Sequence, residues 1–215
     1  MFVGIRSAPL FQLEILVWFL ILIWDLRVKC LAYVKRPFFQ IRNISRIRKY
    51  LSVESSETLV HAFVTCRLDN GNALLYGLPK YLIAKLQIVL NCAAHLILCK
   101  QKYDNATPLL IQLHWLPVSQ RIIFKILLLT FKTLNGLAPT YITELLDRYV
   151  PPRPLRSSSR GLLKVPRSNT KYGDRSFSVC AQTLWNSLPD HLRLTTDLCS
   201  FKRDLKTYLF RESFD

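Results

Sequence analysis

The sequence predicts a mainly α-helical bundle with a short β-ribbon near 162–175. An apolar stretch at 11–26 suits either a strand pair or a helix. Three observations carry this. From 118 to 134, Val118, Ile122, Ile123, Ile126, Leu127, Thr130, Phe131 and Leu134 recur at helical spacing and make one broad face. Similar faces recur at 52–76, 80–99, 177–188 and 198–210, separated by Gly, Pro and Asn punctuation. Of the 215 residues, 50% are apolar and only 20% are charged, which excludes a disordered chain and suffices for a real core.

The 30 Lys and Arg against 14 Asp and Glu give a formal charge of +16. A surplus of that size points to a polyanionic partner, either nucleic acid or an anionic membrane surface. The chain has no Gly-rich phosphate loop, no GxSxG and no HExxH, so neither a small-molecule substrate nor a cofactor is expected. Its 6 cysteines are scattered and form no CxxC pair. That pattern fits reduced thiols in the nucleus or cytoplasm better than a secreted disulfide scaffold.

In chain order, Ile15 to Trp24 is an uncharged run bracketed by Glu14 and Asp25. Extending it to the ~20 residues of a membrane span takes in both carboxylates. A signal peptide, a membrane anchor over 10–26 and a buried helix are the readings open here, and the run's β-branched and aromatic residues suit strands as well as a helix. From Arg27 to Tyr50 the chain is basic and has no acidic residue: Arg27, Lys29, Lys35, Arg36, Arg42, Arg46, Arg48 and Lys49. Ile41, Ile44 and Ile47 interleave, which predicts an amphipathic helix started or kinked at Pro37. Its arginines suit phosphate contact, while Phe38 and Phe39 are expected in the core.

Over 52–76 a capping serine (Ser52, Ser55 or Ser56) precedes Leu59, Val60, Phe63, Val64 and Leu68, and Asp69-Asn70-Gly71 breaks the run. On the helix expected over 80–99, Cys92, His95 and Cys99 share one face. Thiolate and imidazole are zinc ligands, but a structural site wants four, so no metal is expected. The helix over 118–134 opens at Pro117 and closes at Gly136, with Pro139 forbidding continuation. Arg121, Lys125 and Lys132 fall on its back as a basic stripe.

A short helix is expected over 141–149, closed by Pro151, Pro152 and Pro154. Arg153, Arg156, Arg160, Lys164, Arg167, Lys171 and Arg175 then form the densest positive segment, with Asp174 the single acid among them. Leu162 to Val165 and Lys171-Tyr172 flank Ser168-Asn169 and read as the two-stranded ribbon. Trp115 and Trp185 are expected as core anchors.

Four stretches carry a family resemblance. They are LVHAFVTCRLDNGNALLYGLP at 59–79, LHWLPVSQRIIFKILLLTFKTLNGLAP ending at Pro139, LRSSSRGLLKVPRSNTKYGDRSFSVCAQTLWNSLP at 155–189, and SFKRDLKTYLF at 200–210. In this order they resemble the C-terminal part of reverse transcriptases of LINE-type (non-LTR, jockey-like) retrotransposons, over roughly 27–215. The resemblance implies a fragment of an RNA-directed DNA polymerase that begins after the catalytic palm. It implies four parts: an N-terminal segment 1–26 of altered primer-grip strands, a thumb-like helical domain 27–150, a basic loop and ribbon 151–176, and C-terminal helices 177–215. In the whole enzyme such helices hold the template–primer duplex without reading its sequence. Two-metal nucleotidyl transfer needs paired carboxylates, and this chain has no Asp-Asp pair, so it is not expected to be an enzyme. The nucleic-acid contacts expected are Arg121, Lys125 and Lys132 on one helix, with Arg156, Arg160, Lys171 and Arg175 on the loop. RNA, DNA or a hybrid would each serve as partner. The alternative is a small basic protein held to a membrane by 10–26.

Overall fold

The computed structural model describes residues 34–101, 103–149, 161–170 and 172–214. The stretch at 11–26, and with it the strand-pair and membrane readings, lies outside the described residues. So do Arg156, Arg160 and Lys171.

The described chain is mainly helical, as the periodicity predicts. Helix α1 runs over 34–47 and passes into a turn at Arg48–Tyr50. Helices α2 (Val53–Val60) and α3 (Cys66–Asp69) are joined by a wider π-type turn at His61–Thr65. After a 3-10 turn come α4 (Lys80–Ile97), α5 (Ala106–Gln112), α6 (Val118–Leu134) and the short α7 (Thr140–Thr143). Helices α8 (Phe177–Ser187), α9 (Asp190–Arg193) and α10 (Leu198–Phe214) close the fold. Among the described residues no helix is long and apolar enough to cross a membrane.

Helix α6 is the axis of the packing because it feeds two apolar clusters. Val118, Ile122 and Ile126 join α1 to α5, with Cys180 and Ala181 of α8. Leu127 and Phe131, about a quarter-turn or more round, join Trp185, Leu192, Phe201, Leu205 and Leu209 of α8, α9 and α10. Each large side chain taken fully from water is worth ~1.5–3 kcal/mol, so α6, together with α8, which also serves both clusters, holds the two halves together. Thr130 and Thr133 are buried on α6, and each hydroxyl donates to the carbonyl four residues back, Ile126 and Leu129. That local bond is what lets a hydroxyl enter an apolar layer.

Prolines punctuate this chain as helix starters. Pro79, Pro117, Pro139 and Pro189 each stand at the N-cap position immediately before α4, α6, α7 and α9. A proline side chain cannot cap, and for α6 the missing acceptor comes from elsewhere: Val118 N–H donates to Gln87 Oε1 of α4 at 2.8 Å. At the other end of α6, Gly136 has φ +68°. Leu137 N–H donates to Lys132 O at 2.8 Å and Gly136 N–H to Thr133 O at 3.3 Å, the paired bonds of a left-handed cap.

Two more helices end the same way without glycine. Cys99 (φ +51°) follows α4, with Lys100 N–H on His95 O at 3.0 Å, and His114 (φ +52°) follows α5, with Trp115 N–H on Leu110 O at 2.9 Å. A Cβ in that conformation costs about 1–2 kcal/mol, partly offset by the chain freedom a glycine adds to the unfolded state. Cys99 is exposed, so its side chain contributes little burial. Cys99→Gly is therefore expected to raise stability by about 0.5–1 kcal/mol. A urea midpoint that stays put or falls would show that the thiol makes a contact outweighing the strain.

Two expectations need correction. The helix expected over 141–149 stops at Thr143, because Arg148 leaves helical geometry to form an antiparallel bridge with Leu163. That same bridge replaces the ribbon expected over 162–175: Tyr149 N–H donates to Leu162 O at 3.0 Å and Lys164 N–H to Asp147 O at 2.9 Å. Pro166 removes a ladder donor just downstream, and Ser168, Thr170 and Gly173 close side-chain turns on themselves. Asn186 of α8 fastens the bridged segment by donating to Leu163 O and accepting from its N–H, at 2.8 and 2.9 Å.

Candidate nucleic-acid interface

The outer face of α1 gathers exposed cations with no acidic residue among them, whereas the exposed cations of α10 are interspersed with Asp204 and Glu212. Heptad-like spacing turns Val34, Pro37, Ile41 and Ile44 inward, and Pro37 and Ile44 are buried. The positions between them, Lys35, Phe39, Arg42 and Arg46, line up on the exposed side, with Lys49 following on the turn. From Lys35 to Arg46 this stripe extends about 16 Å along the axis. Lys49 Nζ sits 4.8 Å from the ring centre of exposed Tyr50.

Phe38 and Phe39, expected in the core, are on the surface, and Phe39 is 62% exposed. The reason is angular: with Pro37 and Ile41 turned inward, Phe38 and Phe39 between them rotate out. Phe39 lies in a depression of about 380 Å³ together with Lys35, Arg36, Gln40 and Arg67. Arg67 belongs to α3, and nothing in the sequence separates it from any other surface arginine.

Not every cation of the basic run faces outward. Arg48 is turned into the fold, where Nε donates to Leu96 O at 3.0 Å, one terminal nitrogen to Ile97 O at 2.7 Å and the other to Leu51 O at 2.7 Å. It caps the C-terminus of α4, where a positive charge also meets the negative end of the helix dipole.

The residues singled out by the sequence divide in the same way. Arg121 is only 14% exposed at its side chain and ion-pairs with Asp69 of α3 at 2.8 Å. Its Nε donates to Leu116 O at 2.9 Å, and the guanidinium lies 5.7 Å from the Trp115 ring. Arg175 donates to Tyr76 O at 3.1 Å and packs against Gly77, where a Cβ would meet its Cγ at 2.6 Å. Both guanidiniums are held by partners within the fold. Lys125 is exposed on α6 and Lys132 is half-buried, so the expected three-residue stripe is reduced to Lys125 at the surface. Arg156, Arg160 and Lys171, outside the described residues, are not placed.

Two arginines that the sequence did not single out behave like Arg48. Arg148 donates to Leu134 O at the end of α6, and Arg193, 5% exposed, donates to Asn186 O at the end of α8 while pairing with Asp190. A carbonyl freed at a helix end needs a donor, and a long guanidinium supplies several at once.

The Cys92, His95 and Cys99 set does not converge. Cys99 stands beyond the last residue of α4 in left-handed geometry, so the helix-face argument fails there. Among the described residues no three His, Cys, Asp or Glu side chains are placed to hold a metal ion. Cys180 is buried, and burial pushes its thiol up to about 11, so it stays protonated and unreactive at neutral pH. Trp115 and Trp185 are core anchors as expected, the latter donating to Gly161 O at 2.9 Å.

No family model matches the chain, and neither a curated protein nor a solved structure does.

Proposed function

We propose that this chain is the post-palm part of a LINE-type reverse transcriptase and that it binds nucleic acid through the phosphate backbone, without reading sequence. The four ordered motifs between 59 and 210 support the origin. The observation that carries the binding is α1: Lys35, Arg42, Arg46 and Lys49 stand exposed along one line, in a stretch from 27 to 50 that contains no acidic residue. Cations on a rigid helix displace condensed counterions from a polyanion and so bind it in a salt-dependent way. With no Asp-Asp pair to hold two metals, no polymerase step is assigned to these residues.

The test is binding of the purified chain to a labelled RNA–DNA hybrid across a series of salt concentrations. Saturable binding by a monodisperse protein is expected, with log affinity falling linearly against log salt. The triple variant Arg42→Gln, Arg46→Gln, Lys49→Gln is expected to flatten that line by roughly 0.9 for each phosphate no longer neutralised, about 3 in all. A slope that the three substitutions leave untouched would remove α1 from the interface. Binding by aggregates alone would remove the function.

A further inference from the structure

We infer that Phe39 is a stacking platform for one unpaired nucleobase, with Lys35, Arg36 and Arg67 holding the phosphates on either side. The inference rests on the nucleic-acid reading above and specifies the form of ligand: a single-stranded segment, or a base displaced from a duplex. Phe39 is 62% exposed on a helix whose inward positions are filled by Pro37, Ile41 and Ile44, so its ring is left outside while smaller side chains line the core. It shares a depression of about 380 Å³ with Lys35, Arg36, Gln40 and Arg67, and none of the described residues lining it is acidic. That size lies near the lower end of small-ligand sites, ~300–1,000 Å³.

An apolar ring surrounded by cations suits few occupants. A purely apolar segment would strand three charges, and a bare phosphate would leave the ring unused. A nucleotide satisfies both parts: the base offers a π-face to the phenyl ring, and its flanking phosphates meet Lys35, Arg36 and Arg67. A base inside a duplex already has both faces stacked on its neighbours and cannot lie on Phe39, so the platform selects unpaired bases. Gln40, at the edge of the same depression, carries both a donor and an acceptor for a base edge. Arg67 is 31 positions beyond Arg36 in the chain, so α1 and α3 must pack together before the three cations meet.

The experiment compares the full chain with its Phe39→Ala and Phe39→Leu variants on three probes. These are a short single-stranded oligodeoxynucleotide, an abasic strand of the same length and charge, and anionic phospholipid vesicles. The unsubstituted chain is expected to bind the base-bearing strand about tenfold tighter than the abasic one. Phe39→Ala should erase that preference without changing the salt slope, and Phe39→Leu should erase most of it although it keeps the apolar bulk. Arg36→Gln with Arg67→Gln should instead lower the slope equally for both strands. Because Phe39 is exposed, the melting temperature of its variants should match that of the unsubstituted chain. Equal binding of the two strands by the unsubstituted chain would overturn the platform while backbone binding stands. Loss of vesicle binding in Phe39→Ala, with strand binding unchanged, would overturn it in favour of a membrane contact. No saturable binding of either strand would overturn both nucleic-acid binding and the platform.

Discussion

Phe201→Ala is expected to lower the unfolding free energy by about 3–5 kcal/mol, a large share of the ~5–15 kcal/mol that holds a typical domain. Phe201 is fully buried on α10 and stacks on Phe131 of α6, with ring centres 4.2 Å apart and planes 17° from parallel. Trp185 of α8 lies 5.9 Å away on a tilted plane. Three helices therefore meet at one ring, and truncating it opens a cavity lined by two aromatic side chains that cannot both follow the shrinkage. The loss should appear as a lower urea midpoint, with the milder Phe201→Leu falling between. A loss under ~1 kcal/mol would mean that α10 does not dock on α6 and α8 in solution.

The second large effect separates two kinds of arginine on one short stretch. Arg48→Met keeps the apolar stem but removes the donors to Leu96, Ile97 and Leu51, and with them the charge at the end of α4. Charge-assisted bonds of this kind are worth ~1.5–3 kcal/mol each when a partner is left unsatisfied, and water reaches part of this site, so a total loss of about 2–3 kcal/mol is expected. The melting temperature should fall while the salt slope of nucleic-acid binding stays unchanged. Arg42→Gln and Arg46→Gln should do the reverse, lowering the slope and leaving the melting temperature alone. If Arg48→Met flattens the slope at an unchanged melting temperature, the guanidinium faces the ligand and the capping role is wrong.

The contrast between Arg48 and its neighbours also marks the limit of what a basic run conveys. Lys35, Arg42 and Arg46 on the helix and Lys49 on the turn after it differ from Arg48 in the direction they face, and periodicity can place those on the helix outward once the apolar line is known. The same periodicity, taken as Ile41, Ile44 and Ile47, leaves Pro37 off the buried line. Pro37 is buried and Ile47 is not, and that shift is what brings Phe39 to the surface.

What the sequence determined by itself was everything set by neighbours a few residues away. It determined the helical class, the span of α6 from Pro117 to Gly136, a serine cap for α2, the break at Asp69-Asn70-Gly71 and the burial of Trp115 and Trp185. Tertiary structure alone decided which cations remain at the surface. Arg48 finds its acceptor 48 residues away and Arg175 its acceptor 99 residues away, while Arg121 pairs with Asp69 across 52. Tertiary structure also decided that Leu163 pairs with Arg148 and that Gln87 caps α6. The physical reason is common to all of these. Backbone groups left open at helix ends and turns must be satisfied, and their donors are long side chains that reach across the packed fold. Local spacing cannot say which helix end a given arginine will meet.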